Sequence, residues 1–376
     1  MSSFSSFPSP SLLTCPKRWL RFPACAATKI LVVILLVIVF FTFIPDIRRH
    51  GKPPSASSFR HHDDDGADYW DWETVSHFAP KLNTGNKTNI SHSDETDTED
   101  ICDNFPSHLL SRIQVVLKIG SSEPRDRLDT HIATVTRCIS NLIIVSDRES
   151  EFKGHHIHDV LATYPSSFWV NVSDYEAYEA LRFNNGKAVD GIKGWNLDRF
   201  KFLPMLEHAY RINPTAEWFI FLETDTYVFW DNIYRLLDHY HSEAPSYFGS
   251  PAPGRADGNR RTFFAYGGSG FILSASAIEK LLIRKFGSYG QYEQPSLAMQ
   301  FADLIRDDCC GDSVLGWVLH QKGVALSGLW PMFNAHALHG IPFNDVHWCQ
   351  PVISLHKTQL RDMKALAKFE YQRDRT

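Results

Sequence analysis

Two acids, Glu223 and Asp225, stand on either side of Thr224 in the run W-F-I-F-L-E-T-D-T-Y-V from Trp218 to Val228. Side chains of an extended segment alternate, so both carboxylates point to the same side. Hard oxygen donors paired in this way hold a divalent cation, and a cation so held binds a diphosphate. Further along, Gly267-Gly268-Ser269-Gly270 lets backbone approach a ligand closely. Asp312, in G-D-S-V-L-G, opens a segment of helical apolar spacing, where the helix dipole favours negative charge. His356 closes an apolar stretch near the end of the chain, and Arg199 and Lys201 place cations ahead of the acidic strand.

The elements around these residues follow from pattern. Trp218 to Leu222 is continuously apolar, which suits a parallel strand covered on both faces. Asp231 is suited to cap a helix carrying Ile233, Leu236, Leu237 and Tyr240 on one face. Upstream, Ile113 to Ile119 reads as a strand, Gly120-Ser121-Ser122 as a turn open to a nucleotide, Asp129 to Cys138 as a helix and Asn141 to Ser146 as a second strand. That βαβ unit implies a right-handed crossover and a parallel sheet. Gly154 to His158 reads as a loop with no metal role, and Trp195 to Tyr210 as one helix. Ser276 with Glu279 forms a capping box for a helix from Ala277 to Ile283, and a polar helix begins at Gln359.

With 376 residues the chain has ample material for a core, and a formal charge of -5 without a basic run excludes a nucleic-acid partner. Ile30 to Ile44 is uncharged and apolar, no small-residue cleavage site follows, and Lys17, Arg18, Arg21 and Lys29 precede it. The expected division is a cytosolic tail over 1–29, a signal-anchor helix over 30–44, a flexible lumenal stem over 45–100 and a folded domain over 101–376. N-x-S/T sequons at Asn86, Asn89 and Asn171 fall on the lumenal side.

In order, W-F-x-x-x-[ED]-x-D-T-Y-V, G-G-S-G-F-I-L-S, G-D-S-V-L-G and I-S-L-H-K resemble the motifs of the family 31 β1,3-glycosyltransferases. That group contains core 1 galactosyltransferases and Fringe proteins, and the likeness, spanning Ile113 to Lys368, is greatest to fungal members. It implies an α/β fold of the GT-A type: a Rossmann-like, mostly parallel central sheet flanked by helices, as a single catalytic domain on a membrane anchor and stem. It also implies a type II Golgi membrane protein that moves a sugar, galactose first, from a UDP-sugar to a glycan or glycoprotein hydroxyl. Inversion, β1,3 linkage and Mn2+ belong to that picture. Asp225 and His356 become metal ligands with Glu223 beside them. Glu223, Thr224, Asp225, Gly267, Gly268 and Ser269 fall at the donor site, with Lys201 as a nearby cation. Asp312 becomes the general base, with Asp308 as a fallback. Glu223 stands in place of the family's first Asp, and Gly311 in place of an acid. The implied disulfides join Cys138 to Cys102, and Cys349 to Cys309 or Cys310. Two other readings are a metal-free glycosidase built on Glu223 and a distant Asp, and a non-catalytic UDP-sugar-binding or chaperone-like protein of the same fold.

Overall fold

The computed structural model describes Cys102 and residues 105–372, apart from 188–193, 286, 289–292, 343 and 348–349. The tail, anchor and stem expected before residue 101 lie outside the described residues, as does Cys349. Among the described residues, no helix is long and apolar enough to cross a membrane.

The first half of the domain contains β1 (Ile113–Lys118), α1 (Arg125–Ala133), β2 (Ile143–Ser146), β3 (Ser150–Phe152), β4 (His155–Asp159), α2 (Tyr175–Phe183) and α3 (Phe202–Ile212). The central part contributes β5 (Trp218–Glu223), β6 (Tyr227–Val228), α4 (Trp230–Asp238), β7 (Tyr247–Gly249), β8 (Pro251–Asp257), β9 (Arg260–Ala265), β10 (Phe271–Ser274) and α5 (Ala275–Leu282). Last come α6 (Leu297–Gln300), α7 (Ala302–Asp307), α8 (Gly311–Gln321), β11 (Ser327–Gly328), β12 (Phe333–Asn334), β13 (Ser354–Leu355) and α9 (Leu360–Gln372).

Eight strands make one sheet in the order β11-β7-β10-β5-β1-β2-β4-β3. The pairs β1/β2, β1/β5, β2/β4 and β7/β11 are parallel, whereas β10 is antiparallel to β5 and β7, and β3 to β4. The expected α/β class with a mostly parallel sheet and flanking helices is therefore what the chain adopts. β5 lies between β1 and β10, and Trp218 through Leu222 are buried, as a strand covered on both faces requires. Phe202, Phe221 and Phe271 stack across this centre. Each such ring contributes about 1.5–3 kcal/mol by leaving water.

Several boundaries differ from pattern, each for a local reason. Gly154 to His158 is not a loop: Lys153 and Gly154 take positive φ (49° and 81°) as the turn of a hairpin, and β4 follows at once. Its single buried apolar residue, Ile157, is hidden among histidines in the sequence. α1 begins directly after Pro124 rather than at Asp129, consistent with proline's fixed φ at a helix start. The stretch from Trp195 to Tyr210 divides into a 3-10 segment, Gly194–Phe200, and α3. Ser274, not Ser276, caps α5, its hydroxyl accepting the Ala277 N–H at 3.2 Å. Asp231 sits in the first turn of α4 with Phe229 at the cap. Cys102 and Cys138 are bonded. Cys309 is paired with its neighbour Cys310, and the expected bridge from either one to Cys349 falls outside the described residues.

Candidate functional site

The Glu223 carbonyl accepts the Thr226 N–H at 3.0 Å, so the chain turns after β5 rather than running on extended. It is this turn, and not strand alternation, that sets Glu223 and Asp225 together. Beyond the turn, β6 pairs antiparallel with β13, Leu355 opposite Tyr227. The Thr358 N–H then bonds the Asp225 carbonyl at 3.0 Å. These bonds return the distant C-terminal strand to the acidic corner and leave His356 Nε2 3.6 Å from Asp225 Oδ1. Glu223, Asp225 and His356 each offer a ligand atom within 4.8 Å of the others. A separation of 3.6 Å is too long for a hydrogen bond. Two carboxylates and one imidazole suit a hard or borderline divalent cation such as Mn2+. Burial lowers the His356 pKa, against the pull of Asp225, and so favours the neutral ring that a metal needs.

The glycine turn serves as scaffold. A Cβ on Gly268 would overlap the His356 ring, so glycine is the residue that lets this imidazole lie flat against the chain. Thr226 Oγ1 donates to the Gly268 carbonyl at 2.8 Å, and Gly270 takes φ 73° to lead into β10. Ser269 is fully buried, and its carbonyl accepts the Ser354 hydroxyl. The Ser269 hydroxyl is buried and has no hydrogen-bond partner among the described residues. On the other side of the turn the Gly267 N–H donates to Asp312 Oδ2 at 2.9 Å. One tight turn therefore spaces His356 from Asp312.

Asp312 opens α8, and burial raises its pKa even though the N–H groups of Gly267 and Ser313 stabilise the anion. Its neighbour Gly311 is explained by contact: a Cβ there would strike Phe202 and lie 2.8 Å from the Arg199 carbonyl, so the acid found in the family has no room. Asp308 pairs with Arg255 at 2.8 Å and accepts the Cys310 N–H at 3.1 Å.

Lys201 does not reach the acidic corner. It is buried, paired with Asp147 at 3.0 Å and donating to the Ile119 carbonyl at 3.2 Å. Arg199 likewise pairs with Asp174, and Thr224 turns its hydroxyl to Glu123 at 2.6 Å. Ser121 gives both its N–H and its hydroxyl to Asp147, which ties the Gly120 turn to the end of β2. A buried cation that does reach the corner is Lys118. Parallel register sets Lys118 beside Glu223, its ammonium is 3.1 Å from Glu223 Oε1, and it also meets Asp198. Against burial, these carboxylates hold the Lys118 pKa above its usual range. Burial pushes Glu223 up to about 7 in spite of Lys118. A lysine closing a wholly buried strand was the one sequence signal for this partner.

Outside the corner, Asp225 borders a cleft of about 510 Å³ that is also lined by Asp126, Arg127, Lys357 and Thr358. Arg127 Nη1 lies 4.0 Å from Asp225 Oδ2.

The α/β domain thus brings a carboxylate pair and a late histidine together at the end of a central strand, three groups that could hold a metal ion. Residues 195–375 match the family model described as Fringe-like, in keeping with the motifs. Over 111 residues the chain is 30% identical to glycoprotein-N-acetylgalactosamine 3-beta-galactosyltransferase 1 of Xenopus laevis, which is 30% of this chain and 28% of that relative. The chain thus spans about a quarter of the length of the curated relative it matches. A solved structure described as a glycosyltransferase involved in the glycosylation of the major capsid of PBCV-1 aligns with 68% of this chain and 98% of its own, at 13% identity and a TM-score of 0.33.

Proposed function

We propose that this protein is an inverting, Mn2+-dependent glycosyltransferase of the GT-A type that moves a sugar, galactose first, from a UDP-sugar to a glycan or glycoprotein hydroxyl in β1,3 linkage. The observation that carries the reading is the meeting of Asp225, Glu223 and His356 within 4.8 Å at the end of a central strand. The Fringe-like match and the galactosyltransferase relative support the same class. Asp225 and His356 hold the cation, and Lys118 keeps Glu223 in place beside them. When bound, the cation supplies charge neutralisation for the leaving diphosphate. Arg127 and Lys357 make the adjoining cleft attractive to a polyanion. Asp312, raised by burial, takes the proton from the acceptor hydroxyl as it attacks the anomeric carbon, so no enzyme nucleophile is required. The apolar run from Ile30 to Ile44, with cations ahead of it, supports a type II membrane protein of the Golgi with the catalytic domain lumenal.

The test is UDP release from a panel of UDP-sugars, with Mn2+ and with EDTA. Mn2+-dependent turnover, largest with UDP-galactose in the presence of a glycan acceptor, is the expected result. Turnover that survives EDTA identifies a glycosidase instead, and UDP binding without turnover identifies a binding protein.

A further inference from the structure

A second histidine–carboxylate cluster lies three strands from β5, at the outer edge of the main sheet. Alternation along β4 puts His156 and His158 on one face and the buried Ile157 on the other. The hairpin with β3 sets Glu151 opposite His156, and Glu149 comes from the segment just before β3. From α3, His208 packs on His158 with ring centroids 4.4 Å apart, the same separation as His156 from His158.

Glu149, His156 and His158 each offer a ligand atom within 4.8 Å of the others. Two imidazoles with one carboxylate form a softer donor set than the Asp225 corner, and one that suits Zn2+ better than Mn2+ or Mg2+. His156 Nδ1 lies 2.6 Å from Glu151 Oε1, an arrangement in which a carboxylate fixes the tautomer and direction of a metal-binding ring, while Nε2 meets Glu149. Arg211 donates to His208 Nδ1 at 3.3 Å, which puts the proton of that ring on Nε2, a buried atom with no hydrogen-bond partner among the described residues. A metal-bound water is the kind of acceptor that N–H lacks.

We propose that Glu149, His156 and His158 form a binding site for a zinc-like divalent ion, with Glu151 orienting His156 and water completing the coordination. The ion replaces the proton on His156 Nε2, which leaves to solvent, and ties the β3–β4 hairpin to the segment that precedes it. This site is separate from the Asp225 corner and stands whether or not the chain transfers sugar.

The experiment uses the purified full chain, stripped with EDTA and titrated with Zn2+ by calorimetry and with Co2+ by visible absorption. One equivalent of Zn2+ should bind with a dissociation constant of about 1 µM or tighter. A His156→Ala/His158→Ala double variant should lose that equivalent, and Glu151→Gln should weaken it about tenfold. His356→Gln should retain it, with the Co2+ spectrum unchanged. Glu149 is exposed, so Glu149→Gln tests the site in a chain that folds normally, and it too should weaken Zn2+ at least tenfold. The proposal is overturned by a wild-type constant weaker than about 100 µM, by unchanged affinity in the double variant, or by loss of the equivalent in His356→Gln alone.

Discussion

At the Asp225 corner one buried imidazole faces two half-buried carboxylates, while at the β4 edge two imidazoles face one carboxylate whose side chain is 57% exposed. His356 and His156 respond in opposite senses. Burial lowers the His356 pKa, whereas the Glu151 hydrogen bond raises that of the exposed His156. At the corner, protein supplies what water would otherwise provide: Lys118 for Glu223, and the Gly267 N–H for Asp312. At the edge, solvent provides most of it. Charged groups tied into a dry interior are costly to disturb, whereas exposed ones matter mainly when a ligand bridges them.

Substitutions at the two places should therefore differ in size. The largest effect is expected from Asp225→Asn, which removes a cation-holding carboxylate and should lower Mn2+-dependent transfer on the order of a thousandfold, read as UDP release from a chain with an unchanged circular dichroism spectrum. Asp312→Asn should lower turnover by about 10²–10³ and leave Mn2+ and UDP affinity as in the wild type, because only a proton acceptor is lost. Next in size is Lys118→Met. It leaves Glu223 and Asp198 facing each other without their shared cation, at a cost of roughly 3 kcal/mol, seen as a Tm about 6–12 °C lower.

A smaller effect concerns His131, which is fully buried on α1, 3.2 Å from the Thr226 carbonyl that follows the acidic turn. Burial lowers its pKa from 6.5 to about 4. Above pH 6.5 the ring is neutral in both folded and unfolded chains. Below it the unfolded chain takes up a proton first, so stability falls as pH drops from 6.5 towards 4, by up to about 3 kcal/mol in all. Urea unfolding at pH 7 and pH 4.5 measures it, and His131→Gln should flatten that part of the profile. The smallest change is expected from Glu149→Gln without metal, within about 0.5 kcal/mol of wild type. A large loss of metal-free stability there would erase the contrast between the two clusters.

How much of this could be read from the chain depended on whether the cause was local. β1, β2 and β5 are apolar runs whose strand character needs no distant partner, and they lie where pattern put them. The meeting of Asp225 with His356 has no local signature; only the ordered motifs linked them, since β6 and β13 are too short to stand out. The place of Lys118 comes from its register with β5, and that of Lys201 from Asp147 at the end of a different strand, so neither pairing has a signature in the local sequence. β4 was passed over because its strand pattern is carried by histidines rather than by aliphatic residues.

The β6–β13 ladder also sets a schedule for biosynthesis. A ribosome that has translated through α8 has already synthesised both carboxylates and Asp312, yet the imidazole that completes the corner is still untranslated. Only when the last strand docks beside Tyr227 does the histidine arrive. A nascent or prematurely terminated chain thus lacks one of the three side chains that meet at this corner.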